Sequence, residues 1–142
     1  MKSSRDILLS VLKTVQKGQL GISSMLDTSM RPGLRKALES QLRELDSIEN
    51  EVHLIASQRG WDLPEPDPVA QFICDRISRI KLNHGNSDSR IADMMIQTNT
   101  RDMIQNLKNL HQYPREDDRI CGISQKLIDC ETANIRQMQS FL

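Results

Sequence analysis

The sequence predicts an all-α protein of four long helices, with one short helix between the second and third of them. Three observations lead there. Four stretches place apolar residues three, four and seven apart, the spacing of one face of an α-helix. Strand-like alternation of apolar and polar residues is found nowhere in the sequence. Only four residues are aromatic, Trp61, Phe72, Tyr113 and Phe141, so the core has to be built from Leu, Ile, Val and Met.

The first helix is expected from about Ser4 to Asp27. Ser3 and Asp6 have the spacing of a capping-box variant. Its stripe is Leu8, Val11, Val15, Ile22 and Leu26, with Gly18 and Gln19 where the next apolar residue would fall. Gly18 and Gly21 each cost about 1 kcal/mol relative to Ala inside a helix. Close approach of a second helix, or a local kink, would account for them.

The second helix carries the longest uninterrupted pattern, from Arg31 to Gly60. Its apolar face is Leu34, Leu38, Leu45, Ile48, Val52 and Ile55. Pro32 falls in the first turn, where its missing N–H does no harm. Gly60 suits the left-handed position after a helix, and Trp61 can then fold back onto Ile55 or Ala56. Such a helix is roughly 45 Å long and sets the length of the molecule.

Leu63 to Pro68 is a proline-rich connector, and Asp67 caps a shorter helix expected over about Pro68 to Leu82. Asn83 to Asn86 ends it, and Ser87 caps a long helix to about Gln112. The stripe of that helix is Ala92, Ile96, Met103, Leu107 and Leu110, with Asn99 in the middle. Pro114 is expected to open the last helix, with Glu116, Asp117 and Asp118 at the favourable end of its dipole. Its stripe is Ile120, Ile123, Leu127, Met138 and Phe141, and Glu131 and Asn134 fill the two positions between Leu127 and Met138.

Bulk properties narrow the function. At 142 residues the chain is expected to be one domain, residues 1–142. Nineteen basic and nineteen acidic residues cancel, which argues against nucleic acid as the main partner. Three cysteines, Cys74, Cys121 and Cys130, are an odd number without a CxxC spacing, so a disulfide framework is not expected and a reducing cytoplasm fits. No apolar run approaches the roughly 20 residues of a membrane span, and the apolar run near the amino terminus is too short for a secretion signal.

Each long helix carries polar residues near its middle: Gln16 and Gln19, then Glu49, Asn50 and His53, then Gln97 and Asn99, then Glu131 and Asn134. In an antiparallel bundle these reach one level and could form a buried polar layer. Leaving such groups unpaired costs on the order of 1–3 kcal/mol each, so they are expected to bond to one another, to water or to an ion.

This pattern resembles the ferritin-like superfamily, in which two helix pairs are joined by a long crossover; the segment from Trp61 to Asn86 looks like that crossover. The stretch SDSRIADMMIQTNTRDMIQNLKNLHQYP and a final helix of the form LIDCETANIRQMQSFL are similar, more narrowly, to small bacterial ferritin-like proteins of uncharacterised function. The resemblance implies an antiparallel four-helix bundle. In metal-binding members it also implies two irons or manganeses held by two single glutamates and two Glu-x-x-His pairs. Here the second helix has Asn50-x-x-His53 and the last has Glu131-x-x-Asn134. The single-glutamate positions are taken by Gln16 or Gln19 and by Gln97 or Asn99. Only Glu49, His53 and Glu131 remain as strong ligand candidates.

Each sharp reading has a bland counterpart. Glu49 and His53 are four apart and suit a side-chain pair at the edge of the helix interface. Glu131 in a core has to be paired or protonated, with Gln19, His53 or an amide of the layer as expected partner. His84 and His111 are expected to be solvated; Met94, Met95 and Met103 suit core filling, and the cysteines buried apolar positions. The expected function is therefore that of a non-enzymatic, cytoplasmic bundle acting through protein contacts as a homodimer, without cofactor. An iron or manganese protein with an unusual site is the alternative, and a bundle that binds a small molecule in a polar cavity is a third class.

Overall fold

A computed structural model describes residues 1–64 and 87–142. These residues form four helices and no strand: α1 (Ser4–Leu26), α2 (Pro32–Gln58), α3 (Ser87–His111) and α4 (Asp118–Gln139). The short helix expected over Pro68 to Leu82, with Phe72, Cys74 and His84, lies outside the described residues.

Local chemistry sets the ends. Ser3 and Asp6 close a reciprocal capping box, with the Ser3 N–H donating to Asp6 Oδ2 at 2.9 Å and the Asp6 N–H donating to Ser3 Oγ at 3.1 Å. These bonds hold the Asp6 carboxyl below its ordinary range. At the far end of α2, Gly60 adopts φ 66°. Trp61 N–H then reaches back to the Ala56 carbonyl at 2.9 Å and Gly60 N–H to that of Ser57 at 3.3 Å, a Schellman closure. The Arg59 guanidinium lies 5.3 Å from the centre of the Trp61 ring.

The last helix starts later than Pro114 suggests. Pro114 does not open it; the helix begins at Asp118, with Asp117 as the cap that accepts from the Arg119 and Ile120 N–H groups. Arg115 takes a left-handed conformation, φ 55°, in the connector before it. Arg59 ties the Asp117 carboxylate to the end of α2, and that bond holds the acid below its ordinary range.

Helices α1 and α2 pack together extensively, as do α3 and α4, and α1 also meets α3 and α4 while α2 meets α4. Side-chain pairs give the directions. Ser10 meets Asn109 and Lys17 meets Asp102, so α1 and α3 run oppositely. Glu51 meets Lys126 and Gln41 meets Gln137, so α2 and α4 do too. The chain beyond α2 reaches Arg5, which donates to the Asp62 carbonyl, at one end of the bundle. The start of α3 meets the other end, where Asp88 accepts from the Arg31 N–H.

All six residues of the expected apolar face of α2 are buried. Gly18 faces α2: a Cβ there would lie 2.9 Å from Leu45 Cδ1. Close approach of α2 through Leu45 is thus one condition that a glycine meets at this position. The stripe of α3 differs from expectation. Its buried residues are Ile91, Ala92, Met95, Asn106, Asn109 and Leu110, whereas Leu107 is 39% exposed and Ile96 and Met103 only half-buried. The helix is rotated because Asn109 and Asn106 find partners inside, Ser10 Oγ at 2.7 Å and Glu131 Oε1 at 2.8 Å. None of these helices is long and apolar enough to cross a membrane.

Candidate functional site: a cavity beside Glu131

Glu131 is the buried acid among the described residues. It occupies the α4 stripe between Leu127 and Asn134, and it is 3% exposed. Such a carboxyl loses the solvation that favours its charged form. Burial therefore pushes its pKa up to about 8, and Asp102 adds to the rise, while the Asn106 hydrogen bond and Lys17 oppose it. At neutral pH the group is mostly protonated.

Only one of its oxygens is used. Oε1 accepts from Asn106 Nδ2 at 2.8 Å, and Oε2 is buried without a hydrogen-bond partner among the described residues. Asn99 Nδ2, on α3, is in the same condition. Both side chains line a cavity of about 70 Å³. That is room for several waters or a small organic group, because one water needs roughly 10–15 Å³ measured this way.

All four helices contribute to this cavity. Gly18 and Gly21 give its α1 wall two positions without side chains, beside Ile22 and Met25; Leu45 enters from α2, and Met95 and Leu127 add to the apolar lining. Lys17 and Asp102, also in the lining, bond to each other at 2.9 Å across the α1–α3 interface. Their charges cancel where they stand. Asn134 lines the cavity as well, and its Nδ2 lies 3.7 Å from Cys130 Sγ. The Cys130 thiol donates to Glu44 at 3.1 Å. Burial, then Glu44, push that thiol up to about 12, so it stays protonated and unreactive.

The other polar positions fall elsewhere. Asn50, His53 and Gln97 are exposed and so stand outside any buried layer. Asn50 and Gln97 each lie two residues after a buried stripe residue, Ile48 and Met95, which turns them to the far side of their helices. Gln16, Gln19 and Glu49 are half-buried. Gln19 donates to Asp46 at 2.8 Å and to Glu49 at 3.3 Å. Glu49 and His53 approach to 3.9 Å as an edge pair on α2. Glu131 is thus partnered by Asn106 rather than by Gln19 or His53. Among the described residues no three His, Cys, Asp or Glu side chains form a group placed to hold a metal ion. His111 is exposed, Met95 buried, and Met94 and Met103 half-buried.

Sequence reasoning passed over Asn106, Lys17 and Asp102. On α3, Asn99, Asp102, Asn106 and Asn109 follow one another at steps of three and four, a continuous polar face between Met95 and Tyr113, and without its partners such a face reads as one turned to solvent. Gln41 was missed too; it is buried on α2 and donates to Gln137 at 2.9 Å. Comparison of the chain with protein-family models, curated proteins and solved structures finds no match to any of them.

Proposed function

We propose that this chain is a non-enzymatic helical bundle of ferritin-like arrangement, without a complete di-iron site, that binds a small molecule in the cavity beside Glu131. One observation carries the proposal. Glu131 Oε2 and Asn99 Nδ2 are buried without a partner among the described residues, and the two side chains line one cavity. Orphaned atoms of this kind cost on the order of 1–3 kcal/mol each, and a ligand that bonds to them recovers that cost. Reduced to side chains alone, the polar layer would instead close on itself.

The ferritin-like arrangement is supported by the opposed directions of neighbouring helices. It is supported too by the ends of α2 and α3, which lie at opposite ends of the bundle. Binding without a di-iron site is supported by the donor set: amides at Asn50 and Asn134, an exposed His53, and a Glu131 already bonded to Asn106. Such a set does not fit a di-metal centre, which needs about four carboxylates.

The test is a thermal-unfolding screen of small polar metabolites. The parent chain is expected to gain in unfolding temperature with at least one of them, and Glu131→Leu is expected to lose that gain. No response of the parent, or an equal response of the variant, would overturn the reading. So would one or two equivalents of iron or manganese in protein purified without chelator.

A second reading, action through protein contacts as a homodimer, has its own observation. Ile104 and Leu107 are 46% and 39% exposed and stand three apart on α3, hence on adjoining positions of its outer surface. Sedimentation of the parent and of Leu107→Glu tests it. A dimer that the substitution dissociates supports it, and a monomer in both disposes of it.

A further inference from the structure

The chemistry of the cavity narrows what it takes. This step rests on the reading of the cavity as a ligand site. Its size comes first. About 70 Å³ is roughly half the volume that accommodates a benzene ring, so the enclosed part of a ligand has only a few heavy atoms. Charge comes second. Besides Glu131 the lining carries three ionic groups: Lys17 and Asp102 neutralise each other at 2.9 Å, and Arg101 is exposed to solvent. A charged ligand would bring a further charge into the enclosed part of the cavity, where the one half-buried cation, Lys17, is already paired with Asp102, and burying such a charge is costly.

The hydrogen-bond pattern comes third. Asn99 Nδ2 is a donor and requires an acceptor. Glu131 Oε2 is an acceptor when the carboxyl is ionised and a donor when it is protonated. An uncharged group that carries a donor and an acceptor side by side meets both states. It also meets Asn99 whichever way that amide is turned. A carboxylate satisfies only the protonated state, and an ammonium only the ionised one.

We propose that the cavity beside Glu131 and Asn99 binds a short-chain primary carboxamide, with its amide against these two side chains and its alkyl part against Leu45, Met95 and Leu127. The probes are propionamide, propionate and propylamine, which share size and differ in charge. Each is titrated into the full chain at millimolar concentration while the side-chain amide signals of Asn99 and Asn134 are followed by nitrogen-15 NMR. Propionamide is expected to shift the Asn99 signal saturably and to bind at least about tenfold more tightly than the other two, the factor that corresponds to one lost hydrogen bond or an uncompensated charge. Asn99→Leu removes the donor and its unmet need, so that variant is expected to remain folded by circular dichroism and to lose about tenfold in propionamide affinity. Tighter binding of propionate or propylamine overturns the carboxamide assignment and leaves the ligand-site reading standing. Failure of all three to move the Asn99 signal overturns both. If Asn99→Leu does not fold, the ranking of the three probes on the parent chain decides by itself.

Discussion

Glu131 is a carboxyl group held among apolar side chains by one bond from Asn106, and its cost depends on pH. Its folded pKa, about 8, lies above the ordinary value of 4.5. The folded state therefore binds the proton more tightly than the unfolded state. The stability this confers is complete below about pH 4.5 and is lost as pH rises towards about 8. Glu131→Gln cannot ionise, so it is expected to gain on the parent chain across that window, by on the order of a few kcal/mol. Urea denaturation of both chains at several pH values between those limits checks this; parallel stability profiles would count against it. This residue was legible in the sequence because it interrupts an otherwise apolar stripe. Its partner was not. Asn106 lies between Met103 and Leu107, and apolar residues drew the expected stripe away from it. Polar residues reveal a buried face only when their partners on the facing helix are known, and one sequence does not pair them.

At the scale of the element, glycines mark the places where backbone geometry rules. Gly60 holds φ 66° with open space around its missing Cβ. Gly60→Ala is therefore expected to cost about 1 kcal/mol through backbone strain alone, measurable by chemical denaturation. A neutral effect would show that the Schellman closure tolerates a side chain. Gly18 is the opposite case, with its backbone helical and its space taken by Leu45. Gly18→Ile is expected to destabilise by about 1–3 kcal/mol through overpacking. A double-mutant cycle with Leu45→Ala is expected to show coupling between the two sites; additive effects would refute the contact. The role of Gly60 was readable in sequence from its place after a long periodic run, whereas the gap in the stripe at Gly18 suited close approach and a kink alike. The start of α4 was not. Pro114 is a plausible first-turn residue, but the Asp117 side chain offers its oxygen to the Arg119 and Ile120 N–H groups and the helix begins four residues later, at Asp118. Helix starts depend on such bonds, and proline position alone does not decide between neighbouring registers.

For the whole molecule, periodicity was enough to place four helices because each presents an apolar face that only another helix can cover. The level at which their polar residues meet was harder to read. Asn99, Glu131 and Asn134 come together at the cavity, whereas Asn50, His53 and Gln97 turn outward. A bundle that closed its polar layer completely would gain stability and lose the space. This one retains the space, with glycines on one wall and two lining side chains that each hold an unanswered polar atom. The most direct test of a ligand-binding role is a high-resolution crystal structure of the full chain purified without added small molecules or chelators. Non-water density bonded to Glu131 Oε2 and Asn99 Nδ2 is the expected result. Ordered waters alone on those atoms, or side chains turned inward to close the cavity, would contradict it.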